Sequence, residues 1–219
     1  MALALTVITV LLGLLGIGLS VEHLLDANPY NPGFTRHPLV IRSHVVLGAV
    51  FLALTSLQFS GTLRQRRPRL HRAVGRITVA AGLVAGGTAL LITIWFPYSG
   101  PAAIAVVAPF AGFFVASLAR GLWLARQRRF QAHREWMIRA LSIGTSIATM
   151  RLIFVPAMLL IGDYEDESLA RWLSLTCFGA AFVLHAAVAE AWIHATRAAG
   201  QPGPLLTAAS PLASARGGN

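Results

Sequence analysis

Two short patterns in the chain pair an imidazole with guanidinium groups: His71-Arg72 followed by Arg76, and His133-Arg134 followed by Arg139. Both stand at the head of an apolar stretch. Arg151 lies further along the second stretch, Glu190 lies in the last apolar stretch, and His44 lies in an early one. Guanidinium groups donate paired hydrogen bonds to carboxylate, phosphate and carbonyl oxygens. Imidazoles that face one another inside a helical bundle can ligate a haem iron axially. On a helix, Arg151 falls about 27 Å beyond His133, at roughly 1.5 Å per residue. A charge that far from either end of a membrane span is costly and marks a candidate functional site. The balance of charge sharpens the point. Arg42, Arg76, Arg139 and Arg151 lie within apolar stretches, against Glu190 as the clear acid. Buried charge needs a partner, so backbone carbonyls, snorkelling or a bound anion must supply what protein carboxylates do not.

The elements that position these groups are membrane helices. Of 219 residues, 56% are hydrophobic and 12% charged, with a mean hydropathy of +0.66. This composition is far from that of a soluble domain. Six runs approach the ~20 residues that span a bilayer: 3–21, 39–63, 71–95, 101–124, 133–161 and 169–196. The first has no basic leader and no cleavage site clear of the apolar run, so it reads as an uncleaved helix. Gly82 and Gly86 form a GxxxG in the third span, which admits a close neighbour. Pro156 predicts a kink in the fifth. Residues 198–219, rich in Gly, Pro, Ala and Ser, read as a disordered tail, leaving 1–197 as one six-helix transmembrane domain.

All 18 basic residues are arginine, and the loop arginines concentrate in two places: Arg64, Arg66, Arg67 and Arg69, then Arg126, Arg128 and Arg129. By the positive-inside rule both loops face the cytoplasm. The loop with Asp163, Glu165, Asp166 and Glu167 then faces outward. The resulting expectation is an all-α polytopic protein of the bacterial cytoplasmic membrane, with six transmembrane helices and both termini cytoplasmic. The net charge of +10 is thereby assigned to topology, and no nucleic-acid partner is expected. The single Cys177 excludes an internal disulfide and a CxxC metal site.

This topology gathers His71, Arg72, Arg76, His133, Arg139 and Glu190 at the cytoplasmic end, with the two HR segments entering side by side. Arg151 and His44 fall in the outer half, where Ser56, Thr145, Thr149 and Thr176 are candidate partners for Arg151. Plainer roles compete for each residue. Arg42, Arg76 and Arg120 suit interfacial anchoring, Arg139 and Glu190 a structural ion pair, and Trp95, Trp136 and Trp192 an aromatic belt.

The residues His44, Gln58-Phe59, HRAVGR (71–76), HREWMIR (133–139), Arg151 and Ala189-Glu190 resemble the signature of a bacterial family of predicted integral membrane proteins, domain of unknown function 2306. The resemblance covers about residues 39–196. Where that family carries an Asn-Leu pair before the final Ala-Glu, this chain has His185 nearby. The family supplies a membrane fold and no activity.

Two readings of function stand. In one, His71, Arg72, Arg76, His133, Arg139, Arg151 and Glu190, with His44, line a site centred on the cytoplasmic side for an anionic or quinone-like small molecule. In the other, His71 and His133 ligate a b-type haem, as in cytochrome b561-like bundles. Metal hydrolysis through His71, His133 and Glu190 is a third and weaker idea. No GxSxG, HExxH, P-loop or dinucleotide fingerprint occurs, so whether the protein is an enzyme stays open. The bilayer is the expected partner, and the oligomeric state is not legible.

Overall fold

In the computed structural model, residues 37–97, 100–161 and 167–199 are described. The first predicted span, the acidic loop at 163–166 and the tail from residue 200 lie outside them. Among the described residues there are six helices and no strand: α1 (Pro38–Gln58), α2 (Gly61–Arg66), α3 (Pro68–Trp95), α4 (Pro101–Arg126), α5 (Phe130–Ile161) and α6 (Glu167–Ala199). All but α2 are long and apolar enough to cross a membrane.

Local chemistry sets the boundaries. Pro38, Pro68 and Pro101 each open a helix, where the missing N–H costs nothing and the ring fixes a helical φ. The predicted span 39–63 is in fact two helices. Ser60 has an extended backbone, and its hydroxyl accepts from the Leu63 N–H at 3.2 Å, capping a new helix and ending the old one. Helix α5 continues through Pro156.

At the end of α4 the Arg129 N–H bonds the Leu124 carbonyl and the Arg128 N–H bonds the Ala125 carbonyl. This is the Schellman arrangement, and its left-handed position is filled by Arg128 at φ +60°. Glycine usually occupies that position.

Consecutive long helices pack on one another: α1 on α3, α3 on α4, α4 on α5 and α5 on α6. Helix α6 also touches α4, while α1 meets α5 only along a thin seam. Among the described residues the backbones of α3 and α5 stay apart, while Val79 and Ala81 share one packed cluster with Ala140 and Ile143. At the heads of the two helices His71 and His133 are near enough to interact electrostatically.

The core joins Phe51 of α1, Val79 and Ala81 of α3, Phe114 and Leu118 of α4, Ala140 and Ile143 of α5, and Phe182 of α6. Missing side chains make this packing possible. A Cβ on Gly82 would sit 2.7 Å from both Phe51 and Leu118, and one on Gly86 would sit 2.6 Å from Val115. The GxxxG of α3 is thus used on two sides. Gly144 of α5 does the same for Phe51, at 2.7 Å.

Candidate functional site

A cavity of about 120 Å³ opens among α1, α3, α4, α5 and Phe182 of α6. One water needs only ~10–15 Å³ on the same measure, so the space accepts a ring-sized group. Phe51, Phe114 and Phe182 form its deep wall, while Gly48, Ala85, Gly86 and Gly144 leave the room. The polar side chains that line it are His44 and Arg151. They stand on α1 and α5, the two helices joined only by the thin seam. Both lie toward the end of the bundle opposite the arginine loops.

The His44 ring is held by the backbone. Its Nδ1 lies 2.9 Å from the Ala85 carbonyl oxygen, and a carbonyl can only accept, so Nδ1 carries the proton. Thr88 crowds the same carbonyl at 2.9 Å and lies 3.4 Å from His44 Nδ1. The ring atom left to a ligand is Nε2, which in this neutral tautomer is an acceptor. Arg151 lines the same space. The cavity is therefore bordered by one imidazole and one guanidinium on an aromatic and aliphatic wall, the usual make-up of a small-molecule site.

The arginine-rich end is arranged differently, because its charges answer one another. Arg139 Nε and Nη2 donate to Glu190 Oε1 and Oε2 at 2.5 and 2.8 Å. Arg197 forks onto Glu135 in the same way, its Nε donating at 2.7 Å. Glu135 is buried, and neither it nor Arg197 figures in the charge balance read from the apolar stretches. The pair adds one cation and one anion, so the excess of arginine over carboxylate is unchanged. Trp136 lies between the guanidinium groups of Arg120 and Arg139, at 5.5 and 4.9 Å from its ring centre. It is a cation–π platform rather than a simple member of an aromatic belt. Arg72 and Arg76 are exposed on α3, and the backbones of α3 and α5 stay apart among the described residues.

The two inner histidines are each fixed by a neighbouring helix. His133 Nδ1 donates to the Gly121 carbonyl at 2.8 Å, leaving Nε2 with a lone pair. The Gln58 amide is satisfied at both ends when its nitrogen donates to His71 Nδ1 at 3.1 Å and its oxygen accepts from the Gly75 N–H at 3.3 Å. His71 then carries its proton on Nε2 and presents a donor. No group of three or more metal-ligating side chains occurs among the described residues.

His185 bonds Thr149 through Nε2 at 2.8 Å and lies 3.3 Å from Thr145 through Nδ1. Two of the hydroxyls expected near Arg151 are therefore engaged with an imidazole, and Thr176 bonds the Trp172 carbonyl.

Sequence reasoning selected His44 and Arg151 but did not bring them together across one space. It also missed the phenylalanine wall. The available signal was the set of glycines at 48, 86 and 144, whose meaning depends on which aromatic rings surround them.

A family model described as "Predicted membrane protein (DUF2306)" matches residues 41–193. No curated protein and no solved structure matches the chain.

Proposed function

The chain belongs to the predicted membrane protein family DUF2306, and from that premise we propose that it binds a small, membrane-soluble, quinone-like molecule between His44 and Arg151. The observation that carries this reading is the cavity of about 120 Å³ with one imidazole and one guanidinium on an otherwise apolar wall. An aromatic ring fits against Phe51, Phe114 and Phe182, and its oxygen accepts from Arg151. The site differs from the one expected at the cytoplasmic end. Arg139 and Glu190 bond each other and act as a clamp between α5 and α6. With the arginine loops inside, the cavity belongs to the outer half of a bacterial cytoplasmic membrane, and both termini are cytoplasmic.

The test is retention of menadiol and menadione by the purified protein in nanodiscs. Arg151→Gln and His44→Ala should each weaken binding by about ten-fold, the scale of losing one hydrogen bond to a charged or buried group. Unchanged binding in both variants would remove the cavity from consideration.

A second reading keeps a b-type haem at the arginine-rich end. What favours it is His133, whose Nδ1–H is pinned to the Gly121 carbonyl and whose Nε2 is left as a ligand atom, the arrangement typical of metal-bound histidine. His71 would have to exchange its tautomer with Gln58 to serve as the second axial ligand. An absorption spectrum of protein purified from its own membrane decides the matter: Soret and α bands lost in His133→Ala support haem, and a colourless protein ends it.

A further inference from the structure

We infer that the cavity discriminates the redox state of its ligand, holding the quinol in preference to the quinone. This rests on the reading of the cavity as a quinone-type site and adds to it the role of one atom. The His44 Nδ1–H is committed to the Ala85 carbonyl at 2.9 Å. The Thr88 hydroxyl, one helical turn on, shares its one proton between the Val84 and Ala85 carbonyls at 2.8 and 2.9 Å. The Ala85 carbonyl, which can only accept, holds the imidazole edge in place and fixes which nitrogen is protonated.

His44 lines a cavity whose wall is otherwise apolar apart from Arg151, and its remaining ring nitrogen, Nε2, is satisfied only by a donor. A quinol hydroxyl donates; a quinone carbonyl does not, and it sets two lone pairs against each other. Arg151 does not discriminate, because a guanidinium donates equally well to a carbonyl oxygen and to a hydroxyl oxygen. The two polar residues thus have separate roles. Arg151 recognises an oxygen on the ring, and His44 reads whether an oxygen bears hydrogen. Leaving a desolvated acceptor unpaired is costly, whereas pairing it gains little beyond what water offered. The discrimination therefore acts mainly by rejecting the oxidised form.

The experiment compares binding of menadiol and menadione to the full chain in nanodiscs, under anaerobic conditions for the reduced form. The expected result is about ten-fold tighter binding of menadiol, the size of the penalty for an unpaired acceptor. In His44→Gln, whose amide can turn to present either a donor or an acceptor, both forms should bind and the ratio should fall toward one. Thr88→Val, which removes the hydroxyl beside Nδ1 and leaves Nε2 untouched, should keep the preference. Equal binding of the two forms by the wild-type protein overturns the inference and leaves the quinone-type site standing. A preference that survives His44→Gln overturns the assignment to His44. Binding of neither form sinks the underlying reading instead.

Discussion

At the scale of single residues, two forked ion pairs answer charges within the protein, Arg139 with Glu190 and Arg197 with Glu135. The forked Arg139–Glu190 pair ties α5 to α6, with the Arg139 side chain 15% and the Glu190 side chain 42% exposed. Its worth lies between that of a surface pair and a buried one. Glu190→Gln should cost about 1–2 kcal/mol, read as an earlier thermal transition in detergent. Arg139→Gln made on top of it should recover part of that loss, because the unpaired cation is then gone. The Ser117 hydroxyl is fully buried and has no hydrogen-bond partner among the described residues. Ser117→Ala should be neutral or slightly stabilising by the same measurement.

At the scale of helices, glycine and its absence decide fit. Gly144→Ala places a methyl group 2.7 Å from Phe51 and should destabilise by about 1–3 kcal/mol through overpacking. Gly112→Ala meets nothing within 4 Å, and the higher helix propensity of alanine should stabilise by up to ~1 kcal/mol. The opposite signs check the packing without reference to any ligand. Arg128 sits at φ +60°, so Arg128→Gly should stabilise the α4–α5 corner by about 0.5–1 kcal/mol. An arginine retained against that strain adds to the positive charge of the corner.

Much of this level was legible in advance. Apolar runs and arginine loops gave the long helices to within a few residues, because length and charge act locally. The break at Ser60 was not legible, since Leu57 to Leu63 is apolar enough to continue a span and one hydroxyl decides otherwise. The cavity was not legible either. It exists because Gly86 and Gly144, far apart in sequence, both meet the Phe114 ring while Gly48 faces open space, and no periodicity encodes that meeting.

At the scale of the whole molecule, two arginine-bearing corners lie at one end of the bundle: α2 with the start of α3, and the α4–α5 turn. Orientation in the membrane should depend on them together. Replacing Arg64, Arg66, Arg67 and Arg69 with glutamine, while keeping Arg126, Arg128 and Arg129, should yield a mixture of orientations. A carboxy-terminal reporter active only outside the cytoplasm should be silent on the wild-type chain and partly active on the variant. A reporter already active on the wild-type chain would reverse the assignment of inside and outside, and with it the depth given to the cavity.

The sparse contact between α1 and α5 has a further consequence for assembly. Apart from that narrow line and the face between α3 and α4, the close backbone approaches among the described residues fall within the hairpin of α1 to α3 or within the trio of α4 to α6. The link that joins them runs only from Phe96 to Gly100 in sequence. Two polypeptides divided at that link and made in the same cell should insert separately and then find each other, restoring a pairable complex from severed parts.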